Sequence, residues 1–167
     1  VMHFIKERIG KMLEYLQDRI YPESVPVSDF RMIRSSERFT DIEHIDTSAW
    51  KPFHRGEIWG GDREYYWFET ILTIPEEFDG KCVVYEVKTG AEGGWDATNP
   101  QFSIFVDGKR IQGLDVNHRE IILTEKAEAG RSYRVILSAY TGDGNFHLFL
   151  DTAMKVLDRV TERYYYD

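Results

Sequence analysis

The sequence predicts a mainly β fold: an antiparallel β-sandwich over residues 27–153, preceded by an amphipathic helix and followed by a second helix. Apolar residues recur at every second position through most of the chain after Pro26, which is the period of a strand with one buried face. An Asp107-Gly108 pair separates two such runs and is typical of a type I′ hairpin turn. Because the strand-like runs follow one another without helical patterns between them, an antiparallel sandwich is favoured over a parallel sheet.

The predicted first helix and its connector to the sandwich occupy residues 1–26. Apolar residues of this segment fall on one side of a helix, namely Ile5, Ile9, Met12, Leu13, Leu16 and Ile20. Gly10 costs the helix about 1 kcal/mol relative to alanine, so we expect the apolar stripe to pack against another part of the protein. Pro22 and Pro26 end the helical pattern and begin the connector.

The clearest strand of the predicted sandwich covers residues 65–74. Its even positions carry the residues expected to face the core, which are Tyr66, Phe68, Thr70, Leu72 and Ile74. Residues 102–112 are predicted to form the hairpin around Asp107-Gly108. Further strands are predicted at residues 30–33, 82–88, 120–124, 133–140 and 146–151.

Helical spacing returns in residues 154–167, through Leu157, Val160 and Tyr164. We interpret this segment as the start of a linker helix to a domain that follows. The chain ends on three tyrosines and Asp167 with no glycine cap or polar tail, so we expect its C-terminus to be a cut.

Composition narrows the choice of partner and compartment. The 167 residues carry a formal charge of −8, which disfavours binding to nucleic acid or to an anionic membrane. Cys82 is the single cysteine, which excludes an internal disulfide framework and a cysteine-based zinc site. The sequence shows neither a signal-peptide pattern nor an apolar run of transmembrane length. A cytoplasmic location is therefore expected.

Catalytic patterns are weak in this sequence. Glycosidases use two carboxyl groups a few ångströms apart, and among 29 acidic residues some pair will always meet that distance. The two acidic residues least typical of a protein surface are Glu86 and Asp96. The five histidines are scattered singly, without the short spacings of a metal site. No nucleophile motif is present, and Cys82 opens a predicted core strand. We therefore predict no catalytic residue, metal site or cofactor in this chain.

Sugar binding is a stronger possibility, since sugars are held by aromatic faces together with fixed amide and carboxylate groups. The glycine-rich segment 91–100 offers Trp95, Asp96 and Asn99, and the segment 59–62 offers Trp59. Such a tryptophan can equally fill a core or contact a neighbouring domain. Asp96 and Asn99 are also oxygen donors of the kind that hold structural calcium. These alternatives remain open at the level of the residues.

Several segments together resemble the N-terminal domain of bacterial glycoside hydrolase family 38 α-mannosidases. The shared segments are Trp59-Gly60-Gly61, the strand at 66–75, the Phe78-Asp79-Gly80-Lys81 turn, residues 94–102 (ending Asn99-Pro100-Gln101-Phe102), the Val106-Asp107-Gly108-Lys109 hairpin, and residues 112–120 (ending Asn117-His118-Arg119-Glu120). The resemblance covers nearly the whole chain. Residues 99–102 and 112–120 are its specific part, and the other segments are shared by jelly-roll domains of many glycosidases.

This resemblance implies a jelly-roll sandwich, similar to galactose-binding domains, that precedes a larger catalytic domain. In that family the catalytic domain holds zinc and an aspartate nucleophile and hydrolyses terminal α-mannosides with retention. The partners implied are the protein's own catalytic domain, a second copy in a homo-oligomer, and carbohydrate. The candidate sugar- or domain-interface residues are then Trp59, Trp95, Asp96, Asn99 and His118.

Two rival interpretations are a carbohydrate-binding module for mannose-type sugars and the leading jelly roll of another glycosidase. The second would be a β-galactosidase or β-glucuronidase, whose catalytic domain is a TIM barrel. Residues 117–120 favour the mannosidase over that rival, through the family resemblance.

Overall fold

The computed structural model describes residues 23–90, 101–111 and 120–157. These residues form a mainly β structure, which confirms the predicted fold class. Twelve strands lie within the described ranges, with one short 3-10 helix at Glu76–Phe78. The strands are β1 (Ser24–Val27), β2 (Asp29–Arg34), β3 (Lys51–His54), β4 (Trp59–Gly61), β5 (Tyr65–Thr73), β6 (Val83–Lys88), β7 (Gln101–Val106), β8 (Lys109–Ile111), β9 (Glu120–Thr124), β10 (Ser132–Tyr140), β11 (Asn145–Leu148) and β12 (Asp151–Val156).

Two sheets pack face to face, and β11 pairs with β4 in a short ribbon. The four-stranded sheet has the order β1-β12-β6-β9, and the six-stranded sheet has the order β3-β2-β5-β10-β7-β8. Every pairing is antiparallel. Side chains of both sheets form one core, among them Phe68 and Leu137 from one sheet and Val83, Tyr85 and Val87 from the other. Burial of this apolar surface is the main force that holds the sandwich together.

The even positions of β5 face this core, as predicted, but an odd position of the strand is buried as well. Trp67 belongs to a second cluster on the outer face of the six-stranded sheet, with Ile42, Ile45, Trp50 and Ile136. The ring of Phe39 meets Trp67 edge-on, with centroids 4.9 Å apart. Residues 35–50, which contain no helix or strand, therefore form a layer over this sheet.

Arg134 on β10 ties this layer to the sheet. Its Nε donates a hydrogen bond of 2.6 Å to Glu69, and its NH2 donates one of 2.6 Å to the carbonyl of Ile45. Thr47 donates from its hydroxyl to the other oxygen of Glu69, at 2.8 Å. A charged pair with its remaining hydrogen bonds satisfied can be held away from water without a large net cost.

The predicted hairpin is confirmed. Asp107 and Gly108 both have positive φ, 49° and 84°, between β7 and β8. Glycine suits the second position because it tolerates this conformation, and aspartate is among the few other residues that do so at modest cost. The Asp107 carboxylate also accepts a hydrogen bond of 2.9 Å from the backbone amide of Arg134, which fixes the turn to β10.

Three predicted boundaries need correction. Pro26 lies inside β1 rather than in a connector; β1 is an edge strand, where a missing amide proton is tolerated. Met154 to Val156 continue strand β12 rather than opening a helix, because Met154 and Val156 both enter the core. The predicted strand at 146–151 is two strands, β11 and the start of β12. The predicted N-terminal helix and residues 158–167 lie outside the described residues.

We expect Arg134→Leu to lower the free energy of unfolding by about 2 kcal/mol, because it leaves the Glu69 carboxylate partly buried without its cation. Urea unfolding followed by circular dichroism measures the change. Arg63→Leu is the matched control, since the ion pair of Arg63 with Asp143 is exposed, with 70% and 79% of the two side chains accessible. The control should leave the unfolding midpoint almost unchanged. Equal effects of the two substitutions would contradict the role given to Arg134.

Candidate functional site

Of the five candidate interface residues, the structure describes Trp59. Trp95, Asp96, Asn99 and His118 lie outside the described residues. Trp59 is 3% exposed and belongs to the main core. Its ring meets those of Tyr66 and Phe68 edge-on, each at a centroid distance of 5.0 Å. In this domain its indole therefore fills the core and is not available to stack on a sugar at the surface.

The burial of Trp59 turns its neighbours outward, because successive side chains of a strand point to opposite faces. Ile58 is 64% exposed and Phe146, on the partner strand β11, is 57% exposed. Leu148 pairs with Trp59, so the register brings Phe149, the next residue after β11, beside Ile58. We call Ile58, Phe146 and Phe149 the ribbon patch. Its members are exposed apolar side chains in or next to the same ribbon, and exposed apolar residues are often found at interaction sites.

Gly60 makes this ribbon possible. A Cβ at this position would lie 2.1 Å from the carbonyl oxygen of Asn145, and the φ of Gly60 is +131°. Only glycine allows β11 to approach β4 so closely. The Tyr66 hydroxyl donates a hydrogen bond of 2.5 Å to the Gly60 carbonyl, which links the ribbon to β5.

Phe149 packs against the end of the loop that follows β6. Its amide donates a hydrogen bond of 3.1 Å to the carbonyl of Thr89. A Cβ on Gly90 would lie 2.4 Å from the ring of Phe149. Gly90, the last described residue before the segment 91–100, therefore lies beside one member of the ribbon patch. Sequence reasoning singled out Trp59 and missed Ile58, which precedes β4, and Phe146, which lies in β11.

Glu86 is buried on the other side of the molecule, on the outer face of the four-stranded sheet. It lies directly across from Glu120 of β9. The Nζ of Lys155 donates a hydrogen bond of 3.0 Å to Oε1 of Glu86, and the Nζ of Lys88 forms an ion pair with the same oxygen at 3.3 Å. Burial opposes ionisation of Glu86. Hydrogen bonding with Glu120 and Lys155, together with the charges of Lys155 and Lys88, outweighs burial and holds the pKa of Glu86 below its ordinary value.

Across residues 23–90, 101–111 and 120–157, no three His, Cys, Asp or Glu side chains converge in a way that could hold a metal ion. The same ranges contain no helix long and apolar enough to cross a membrane.

Several solved structures have a similar fold. They include a glycosyl hydrolase family 2 (GH2) member from Bacteroides cellulosilyticus DSM 14838, at 14% identity and a TM-score of 0.55. A Bacteroides uniformis β-glucuronidase (12%, TM-score 0.57) and a Faecalibacterium prausnitzii β-glucuronidase (10%, TM-score 0.56) are similar as well. The alignments cover 80%, 80% and 83% of this chain, but only 20%, 18% and 33% of those chains. The similarity is one of fold, and this chain spans only part of the length of each of those proteins.

The family follows from the sequence. A model described as "Alpha-mannosidase, jelly roll domain" matches residues 25–146, and the chain belongs to this family. This confirms the resemblance carried by residues 59–120. No curated protein gives a significant match to the chain.

The pH dependence of stability tests the role of Glu86. Because its pKa is lowered in the folded state, ionised Glu86 stabilises the fold above the unfolded pKa, and this contribution is lost as pH falls through the folded pKa. We expect Glu86→Gln to destabilise the protein near pH 7 and to have a much smaller effect near pH 3, in urea titrations at both pH values. Asp143→Asn, at an exposed ion pair, is the control. An effect of Glu86→Gln that does not change with pH would contradict the assignment.

Proposed function

We propose that this chain is a non-catalytic N-terminal domain of an α-mannosidase, whose role is to pack against the catalytic domain and shape its surroundings. The family match supports the parent activity. The ribbon patch is the observation that carries the packing role, because Ile58 and Phe146 are exposed apolar side chains in or next to the ribbon. A second domain over this surface would remove that apolar area from water.

The chemistry of the proposed parent lies outside this chain. The family resemblance implies a zinc ion in the catalytic domain. The described residues do not fit such a site, since their histidines and carboxylates do not converge in threes. We therefore assign zinc, the nucleophile and the retaining hydrolysis of terminal α-mannosides to the domain that follows. A cytoplasmic location belongs to the same proposal and agrees with a chain whose single cysteine, Cys82, is buried.

The longer protein encoded with this chain should hydrolyse a chromogenic α-mannoside, and the isolated chain should not. Within that longer protein, the double substitution Ile58→Ser and Phe146→Ser should lower the thermal midpoint of the sandwich domain. In the isolated chain, each of these two substitutions made alone should change the free energy of unfolding by about 0.5 kcal/mol at most, because both residues are exposed there. Differential scanning calorimetry of both proteins measures the difference.

Ile71→Ser is the matched control, because Ile71 is 55% exposed but lies on β5, away from the ribbon. If Ile71→Ser affected the longer protein as strongly as the ribbon substitutions, the ribbon patch would not be the contact surface. If the longer protein hydrolysed a β-glucuronide or β-galactoside instead, the mannosidase assignment would be wrong.

A second candidate function is direct binding of mannose-type sugars, which the exposed aromatic ring of Phe146 favours. The domain-packing proposal predicts no saturable change in tryptophan emission when mannose or mannobiose is added to the isolated chain. Trp50, Trp59 and Trp67 are at most 7% exposed. A saturable change that disappears in Trp95→Phe would therefore report a sugar at the segment 91–100 and would support the binding module.

A further inference from the structure

A pair of tyrosines lies on the outer face of the six-stranded sheet. Tyr65, at the start of β5, is directly across from Tyr140, at the end of β10. Their rings are tilted by 33° to each other, and the ring centroids are 4.8 Å apart. Residues 35–50 bury the next aromatic residue on this face of β5, Trp67, but 47% of Tyr65 is exposed. The layer over this face therefore ends before the tyrosine pair.

Tyr140 supports the ring of Tyr65 from one side. The sheet order places β10 on that side of β5 and the end of β2 on the other side. At the end of β2, the amide of Ser35 donates a hydrogen bond of 3.0 Å to the carbonyl of Tyr65, which fixes the backbone. The exposed part of Tyr65 is then its hydroxyl and the ring face turned away from Tyr140. A ring ordered in this way can stack on a ligand with little further loss of side-chain entropy.

Groups that can bind hydroxyls lie at the same end of the sheet. Arg34, the last residue of β2, forms an ion pair of 3.8 Å with Glu64, the residue before Tyr65. The accessible fractions of these two side chains are 63% and 38%. A guanidinium supplies several N–H donors and a carboxylate supplies acceptors, so the pair can bind both the oxygen and the hydrogen of a ligand hydroxyl.

The charges around Tyr65 favour an uncharged ligand. Both arginines close to it in the chain are in ion pairs, Arg34 with Glu64 and Arg63 with Asp143, the latter at 2.9 Å. The whole chain carries a formal charge of −8, which would repel a phosphate or sulfate on average.

The size of the exposed ring argues against a protein as the ligand. An aromatic side chain buries about 150–250 Å² at most. A stable protein interface takes about 800 Å² from each partner. One supported ring with a few polar neighbours therefore matches a small molecule better than a folded partner.

We propose that Tyr65 stacks on the C–H face of a neutral pyranose sugar, with Arg34 and Glu64 binding the sugar's hydroxyl groups. A pyranose ring combines a flat face of C–H groups with a rim of hydroxyls, and the site offers an aromatic face beside donors and acceptors. Tyr140 is a positioning residue that holds the Tyr65 ring. The inference does not rest on the packing role of the ribbon patch. Only the choice of a mannose-type sugar as the first probe rests on the proposed parent enzyme.

Saturation-transfer difference NMR of the chain with mannobiose, methyl β-galactoside and methyl β-glucoside tests the site. We expect transfer to the ring C–H protons of at least one of these sugars. Tyr65→Ala should weaken that binding about fivefold or more, whereas Tyr65→Phe keeps the ring and should retain most of it. Glu64→Gln should also weaken binding, because a neutral amide is a poorer acceptor than a carboxylate. NMR is the readout because Trp67, the tryptophan next to Tyr65 on this face, is only 7% exposed.

Phe146→Ala is the matched control, since Phe146 is an exposed aromatic residue of the ribbon patch. It should leave the sugar affinity unchanged, and circular dichroism checks that every variant keeps the sandwich. Absence of transfer to all three sugars, or equal losses in Tyr65→Ala and Phe146→Ala, would overturn the proposal. Binding of a galactoside or glucoside without mannobiose would support the site. Hydrolysis of the chromogenic α-mannoside by the longer protein tests the parent activity separately.

Discussion

Burial of both faces of the sheets is the constraint on which this structure depends. Val83, Tyr85 and Val87 of β6 enter the core between the sheets, while Val84 and Glu86 are buried on the opposite face. The six-stranded sheet has the same requirement, since Trp67 and Ile136 are buried beneath residues 35–50. A two-layer sandwich buries only the inner faces of its sheets, so the six-stranded sheet needs residues 35–50 to bury its outer face. Arg134 and Glu69 tie that layer to the sheet. On the four-stranded sheet Cys82, Val84 and Leu157 form a separate apolar cluster.

The same alternation of side chains determines where the domain can contact other molecules. Trp59 completes the aromatic part of the core, so the residue before it must point to solvent. Gly60 has no side chain and lets β11 approach, which leaves Ile58 and Phe146 as the outward features of the ribbon. From the sequence, Trp59 is a candidate for stacking on a sugar. In the structure it is buried, and Ile58 and Phe146 are exposed instead. The set of exposed apolar residues on the ribbon follows from packing inside the domain.

The sequence was informative where a pattern was long enough to show its period. Strand β5 and the Asp107-Gly108 hairpin were predicted because nine alternating residues and a dipeptide with strict φ requirements leave few alternatives. Strands β3 and β4 were missed, since three or four residues do not establish a period. Met154 and Val156 have strand alternation, but Leu157 and Val160 suggested helical spacing over the same window. The burial of Trp67 depends on residues 35–50, which carry no periodic signal, so no local pattern could reveal it.

The pair of Glu86 and Glu120 illustrates how the surroundings of a buried carboxyl group decide its chemistry. Two carboxyl groups on neighbouring strands are close enough to suggest a glycosidase pair, and burial alone would raise the pKa of one of them toward that of a general acid. Lys155 and Lys88 act in the opposite direction, however, and the pKa of Glu86 is lowered. A lowered pKa is the opposite of what a general acid requires. Glu86 is also only 6% exposed. Its contacts with Lys155 and Lys88 therefore favour a structural role, in which two cations balance the charge of a buried carboxylate.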